Sequence, residues 1–451
     1  MTDPFVVIGG DAAGMSAASK ARREAPDLEI IVFERGEWVS YGACGLPYYV
    51  KGDIESLEDL VSVTATEFRE ERDIDLRTNH EVVAIDTKTG TVTVKGPERT
   101  FEQSYGDLLI ATGASSVVPP IDGVERPGVY TLHDMEDGRA IRQRIEGEDS
   151  PNLVGIVGGG YVGIEMAEAF RSRGLDVHLF EMLSHVLDPF GEGVGEAVEK
   201  ELRERGVSLH LETPVEGFEG ESSLAAVQTP SERVPLDMAL VGVGVQPNAA
   251  LAESANIELG ETGAIAIDEY GRTSAENVYA AGDCAEMTHA VTDEPVHVPL
   301  ALSANRAGRA VGQTVAGSPT PVGPIVGTAA VKAFDLEAAR TGLVHEERAE
   351  AAGFDPVAET ITTRSRAGYY PGGSPIRMTL IADRGTGRVL GASMVGEEGV
   401  TKRIDTIATA LHEGLTVEDL ERLDLAYAPP FGPTWDPVLT AAKVLSGSIP
   451  E

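Results

Sequence analysis

Thiol chemistry in this chain is confined to two cysteines, Cys44 and Cys284. Cys44 lies in Ser40-Tyr41-Gly42-Ala43-Cys44-Gly45-Leu46-Pro47-Tyr48-Tyr49, where Pro47 is placed as an early residue of a new helix. A helix N-terminus carries positive partial charge, so a cysteine beside it is expected to be held as a thiolate and to act as a nucleophile. A lone cysteine can equally be a small inert apolar residue, and its neighbours must decide. Cys284, in Gly282-Asp283-Cys284-Ala285-Glu286, reads as structural packing. Two cysteines are too few for a disulfide framework, and His289, His297 and His345 lack metal-ligand spacing. A reducing cytoplasm fits this usage.

The second kind of chemistry is phosphate binding. Phe5-Val6-Val7-Ile8 reads as a strand and runs into Gly9-Gly10-Asp11-Ala12-Ala13-Gly14. A small-residue helix over 15–23 follows, then a strand over 29–33 that ends at Glu34. A strand, glycine turn and helix present backbone N–H groups to a pyrophosphate, and an acid about 20 residues on takes the ribose hydroxyls. Asp11 occupies the middle glycine position, so this turn could also do no more than pack a helix on a strand. The second unit has the full pattern: strand 153–157, Gly158-Gly159-Gly160-Tyr161-Val162-Gly163, helix 164–173, strand 176–180 and Glu181. A carboxylate at Glu181 accepts from a 2'-hydroxyl and repels a 2'-phosphate, so NADH is favoured, with NADPH left open.

These elements imply an α/β protein in which two Rossmann-like units each hold a dinucleotide and exchange electrons. Ala111-Thr112-Gly113-Ala114 closes the first unit, and Thr273-Ser274-Ala275-Glu276-Asn277-Val278-Tyr279-Ala280-Ala281-Gly282-Asp283 comes much later. Together with the first glycine turn they resemble the FAD-binding segments of the pyridine nucleotide-disulfide oxidoreductase family. That resemblance implies FAD and NADH as cofactors, with Asp283 on the flavin ribityl chain and Val82, Ala301 and Gly244 among the cofactor contacts. It also implies a split FAD-binding domain, 1–118 and 251–323, around an NAD(P)H-binding domain, 119–250. An α+β dimerisation domain, 324–451, would then pair two copies into a homodimer whose active site is shared.

Most disulfide reductases of that family carry a second cysteine five positions after the first, where this chain has Tyr49. The segment around Cys44 resembles instead the single-cysteine branch of coenzyme A-disulfide reductases, persulfide reductases and NADH oxidases and peroxidases. There the cysteine cycles through a mixed disulfide, a persulfide or a sulfenic acid. The family's C-terminal His-Glu pair is absent, and Leu425-Ala426-Tyr427-Ala428-Pro429-Pro430-Phe431 stands in its place. With Gly368-Tyr369-Tyr370-Pro371-Gly372, this resembles the coenzyme A-disulfide reductase group. The resemblance implies that Tyr427 and one of Tyr369 or Tyr370 approach the cysteine of the other subunit. As residues alone, the three could be plain interface aromatics. The same resemblance places Ser40, Lys20 and Arg23 on a phosphate-bearing substrate such as coenzyme A, although cations ending a helix are also favoured by its dipole. The implied reaction passes electrons from NADH through the flavin to a Cys44 mixed disulfide. An NADH oxidase or peroxidase, a polysulfide reductase and a slow redox sensor are the rivals.

Composition sets the outer limits. The 451 residues suffice for roughly three domains. Lys and Arg number 36 against 73 Asp and Glu, a formal net charge of -37. That excess argues against nucleic-acid partners and fits a halophilic protein, whose self-repulsion is screened by salt. The chain has no signal-peptide pattern and no apolar run of membrane-spanning length.

Overall fold

The computed structural model describes residues 3–449. Its first sheet is built on Phe5–Ile8, an apolar run buried along its whole length, as expected of a parallel strand covered on both faces. Five parallel strands lie in the order Val278–Ala280, Asp107–Ile110, Phe5–Ile8, Ile30–Phe33, Asp75–Arg77. The second sheet repeats the plan around Leu153–Val157. Its order is Val207–His210, Asp176–Phe180, Leu153–Val157, Met238–Val241, Val129–Tyr130, again parallel. Each unit interposes a three-stranded antiparallel meander between its third strand and the strand that returns beside the first: Glu81–Asp86, Thr91–Lys95 and Thr100–Ser104 in one, Gly217–Glu219, Ala226–Gln228 and Arg233–Pro235 in the other.

The helices after the glycine turns begin earlier than the apolar pattern suggests, at Ala12–Glu24 and Tyr161–Ser172. Asp11 and Gly160 are their N-caps, so the turn and the helix start share residues. The two units are joined where Ala114–Ser116 pairs antiparallel with Val245–Pro247. There the Asn248 side chain donates to the carbonyls of Thr112 and Ala114, both at 2.9 Å. Beyond them, five antiparallel strands run Ala329–Ala333, Leu336–Gly342, Val389–Gly396, Pro375–Asp383, Pro356–Arg364. Helices Val400–His412 and Pro437–Ser446 bury Ile404, Ile407, Val438 and Leu445 in the core of this third unit.

Candidate active site

A cavity of about 1680 Å³ runs across the carboxyl ends of both parallel sheets and is lined by both glycine turns and by Cys44. Small-molecule sites commonly enclose about 300 to 1,000 Å³, so this volume suits more than one ligand. Its two ends are built alike. Gly9 and Gly158 have φ of +111° and +107°, which only glycine adopts without strain. A Cβ on Gly14 or on Gly163 would lie 2.0 Å from the carbonyl oxygen of Gly9 or Gly158, so these two glycines hold each helix hard against its strand. The acids close each turn. Glu34 accepts from the Gly10 and Gly36 N–H groups, both at 2.7 Å. Glu181 accepts from Gly159 at 2.7 Å and Leu183 at 2.9 Å. A rigid glycine cradle with an anchored carboxylate at its rim fits an adenine dinucleotide in each unit, and the group that binds would supply the hydride and electron chemistry.

Of the residues expected to contact cofactor, Gly9, Glu34, Val82, Ala111, Thr112, Gly113, Asp283 and Ala301 line the cavity, as do Gly158, Gly160, Tyr161, Val162, Glu181 and Gly244. Gly14, Gly163, Ala12 and Ala13 are outside its wall: the two glycines serve helix–strand packing, and Ala13 packs against Gly308. Asp11 differs most from expectation. Although it stands at the N-cap position, its side chain makes no capping bond and accepts instead from the Tyr41 N–H at 3.0 Å, tying the first glycine turn to the cysteine segment. Burial pushes its carboxyl up to about 6; the bond from Tyr41 opposes this and the charge of Glu34 adds to it.

Cys44 occupies a single 3₁₀ turn, Ala43–Gly45, that leads into the short helix Leu46–Lys51 with Pro47 in its first turn. It is exposed toward the cavity. The expectation of a helix-stabilised thiolate needs correction. Burial by the surrounding protein pushes the thiol above its ordinary value, and the carboxylates of Glu165 and Asp283 push the same way. Tyr49, at the position of a second cysteine, is 9% exposed, with the Arg142 guanidinium 4.5 Å from its ring centroid. It is a packed core residue. Cys284 is fully buried, its thiol directed at the Ile110 carbonyl at 3.4 Å, which bears out a structural role.

The substrate residues are less well gathered. Lys20, Arg23 and Ser40 do not line the cavity. Lys20 is 7% exposed and its ammonium is taken by Glu24 one turn on, so it is no free phosphate anchor. Arg23 is exposed at the far end of the same helix. Ser40, at φ +48°, shapes the cysteine segment through its N–H bond to the Gly10 carbonyl at 2.9 Å.

The tyrosines divide clearly. The hydroxyls of Tyr369 and Tyr427 meet at 2.8 Å, whereas Tyr370 turns its N–H to the Ala367 carbonyl and makes no such pair. Within one chain this pair does not reach the cavity holding Cys44. It sits instead in an exposed aromatic cluster, with Tyr369 76%, Tyr427 47%, Phe431 80% and Trp435 52% accessible. Tyr427 is the phenol pushed down, because it receives hydrogen bonds from Tyr369 and Thr434.

Three cavity residues escaped the sequence reading. His297 lines the wall and makes a 2.8 Å bond to the Asp283 carbonyl, and its charge opposes the rise that burial imposes on the Asp283 carboxyl. Arg340, from the third unit, donates to the Tyr161 hydroxyl at 3.3 Å. Glu165 lies four residues after Tyr161 on the same helix, a spacing that puts both on one face and was legible in the sequence. Among the described residues no cluster could hold a metal ion, and no helix is long and apolar enough to cross a membrane.

Comparison with known proteins agrees with this arrangement. Residues 3–308 match the model of the pyridine nucleotide-disulphide oxidoreductase family, and residues 328–437 match that family's dimerisation domain. The chain is 41% identical over 446 residues to the NAD(P)H coenzyme A polysulfide/persulfide reductase of Pyrococcus horikoshii, covering 99% of each. It is 31% identical over 430 residues to the coenzyme A disulfide reductase of Staphylococcus haemolyticus, covering 95% of this chain and 96% of that one. An NAD-dependent persulfide reductase structure from A. fulgidus superposes with a TM-score of 0.96 at 38% identity, over 99% of this chain and 83% of that one. The chain belongs to the pyridine nucleotide-disulphide oxidoreductase family and is an FAD- and NAD(P)H-dependent oxidoreductase with two Rossmann-like domains and a C-terminal dimerisation domain.

Proposed function

We propose that this enzyme is an NADH-dependent coenzyme A-disulfide reductase, passing electrons from NADH through FAD to a disulfide between Cys44 and a small thiol. One observation carries the reading: the cavity wall holds a single accessible thiol, Cys44, while Tyr49 fills the place of a second cysteine with packed aromatic core. With no second thiol in reach, Cys44 can form a disulfide only with a sulfur from outside the chain.

The cofactor-binding domain is assigned 1–118 and 251–323, the nucleotide domain 119–250 and the dimerisation domain 324–451. The strand pairing of Ala114–Ser116 with Val245–Pro247, at the entry and exit of the insertion, supports these limits. The first glycine turn and Glu34 would bind FAD, with Asp283 on its ribityl chain. The second turn and Glu181 would bind NADH, and the run Met182-Leu183-Ser184 after Glu181 offers no cation to a 2'-phosphate. The exposed cluster around the Tyr369–Tyr427 pair suits burial against a second copy. In that homodimer Tyr427 of the partner subunit would hydrogen-bond the leaving thiolate at Cys44.

Wild-type enzyme should reduce coenzyme A disulfide with NADH far faster than it consumes oxygen, and Cys44→Ser should lose the disulfide activity. Full disulfide turnover by Cys44→Ser would sink the proposal. A persulfide or polysulfide reductase is the second reading, favoured by the greater identity to the Pyrococcus enzyme than to the Staphylococcus one. Polysulfide assayed beside the disulfide ranks the two.

A further inference from the structure

The helix Leu46–Lys51 that follows Cys44 has six residues, too few to be stable alone in water, and the last carbonyls of any helix lack partners within it. Gly52, at φ +98°, turns its N–H back to the Tyr48 and Tyr49 carbonyls. The remaining partners come from the second nucleotide unit. Arg142, on helix Met135–Glu146, donates from Nη1 to the carbonyls of Tyr49, Ile54 and Glu55 at 3.2, 3.1 and 2.9 Å. Arg173, the C-cap of helix Tyr161–Ser172, donates to the Val50 carbonyl at 3.0 Å. Glu146 Oε1 joins the two arginines, accepting from Arg142 Nε at 3.0 Å and from Arg173 Nη2 at 3.2 Å. The near end of the helix is held as well: a Cβ on Gly138 would lie 2.7 Å from Leu46 Cδ2, two residues after Cys44.

We propose that Arg142 and Arg173, joined through Glu146, are positioning residues for Cys44, so that the nucleotide domain clamps the helix that presents the thiol. The proposal rests on the reading above, in which Cys44 carries electrons to the substrate. None of the three lines the cavity, so they act through the helix and not by contact with the sulfur or a bound group. At about 1.5 Å per residue the helix is about 9 Å long, so a shift at its clamped end is carried to Cys44. Helix Tyr161–Ser172 starts at the second glycine turn and ends at Arg173, and therefore sets the coenzyme turn and the Cys44 helix in one spacing. Its Glu168 adds a further tie. That buried carboxylate pairs with Lys51, the last residue of the Cys44 helix, at 3.1 Å, and with Lys332 of the third unit at 2.8 Å.

The test takes three measurements on the flavin-loaded holoenzyme: kcat and KM with NADH and coenzyme A disulfide, turnover of NADH with ferricyanide, and the rate of Cys44 alkylation by iodoacetamide after reduction and desalting. Ferricyanide draws electrons from the reduced flavin without the thiol, so it reports whether both nucleotide sites are intact. Arg142→Met and Arg173→Met should each lower kcat with the disulfide by about 10-fold, because a small displacement of a reacting group is costly. Alkylation should speed up several-fold as the helix end opens, with KM for NADH and ferricyanide turnover unchanged. Glu146 is exposed and its ion pairs add little stability, so its variants keep the test open if an arginine variant does not fold. Glu146→Leu should lower kcat several-fold, and Glu146→Gln, which keeps the oxygen both arginines use, should restore it. Unchanged kcat and alkylation in Arg142→Met and Glu146→Leu, or ferricyanide turnover that falls in step with kcat, would overturn the clamp. Failure of the disulfide-reductase reading would show separately, as absent disulfide turnover in wild type while the alkylation difference persists.

Discussion

The two nucleotide units share strand order, meander and glycine turn, yet differ at one position that reaches into the chemistry. Gly160 in the second unit has open space around it and takes no part beyond the turn. Its counterpart Asp11 reaches out to Tyr41 and fixes the segment that presents Cys44. Both residues have negative φ, so neither position requires glycine. The second unit needs only to bind and release a coenzyme. The first must also hold a nucleophile in register with its bound group, and the departure from the glycine pattern is the residue that does so. A motif mismatch that weakens a sequence match can therefore mark where a common fold has been adapted.

The strongest challenge to that parallel is steric. Gly14→Ala should yield protein without bound flavin. Gly163→Ala should keep its flavin absorbance and lose NADH affinity by about 100-fold, from a clash of about 3 kcal/mol in each case. A Gly14→Ala protein with full flavin content would break the equivalence of the turns.

Asp11 tests the asymmetry. Its folded value, about 6, lies above its ordinary 3.8, so the folded state binds the extra proton between those limits. Stability therefore falls as pH rises through that window, and the deficit is complete above about 6. Asp11→Asn keeps an oxygen for the Tyr41 N–H and removes the charge. It should be more stable than wild type at pH 7 by up to about 3 kcal/mol, with the difference fading toward pH 4. Urea unfolding at both pH values measures this, and an unchanged or lowered stability at pH 7 would deny that the charge is costly.

A smaller effect is expected at the second unit's acid. Glu181→Ala strands the Gly159 and Leu183 N–H groups and should weaken NADH binding by about 10-fold, about 1.4 kcal/mol, while narrowing the preference over NADPH. Coenzyme titrations of both forms give the ratio. The smallest and least local effect is that of salt. With a net charge of -37, melting temperature should rise by a few degrees from low to molar salt in wild type and Asp11→Asn alike. A melting temperature indifferent to salt would remove the halophilic reading.

Features fixed within one short segment were legible in the sequence: both glycine turns, Glu34 and Glu181, the helix after Cys44 and the packing role of Cys284. Contacts that join distant segments were not. The partner of Asp11 is 30 residues away, and the carboxylates that raise the Cys44 thiol, Glu165, Asp283 and Asp11, come from three other parts of the chain. A helix-terminus argument built on neighbours alone therefore leaves out the burial and the charges that push that thiol up. Choosing between Tyr369 and Tyr370 required the turn at Ala367, which faces only the first toward Tyr427. Lys20 is different: Glu24 at i+4 was visible all along, and the pair could have been inferred.

The central claim, that Cys44 carries an external thiol, is tested most directly by mass spectrometry of the intact oxidised enzyme and of its Cys44 peptide. A reducible adduct with the mass of a small thiol, present on Cys44 and absent from Cys44→Ser, is the predicted result. An added oxygen on Cys44 with no thiol adduct, in enzyme exposed to coenzyme A disulfide, would contradict it.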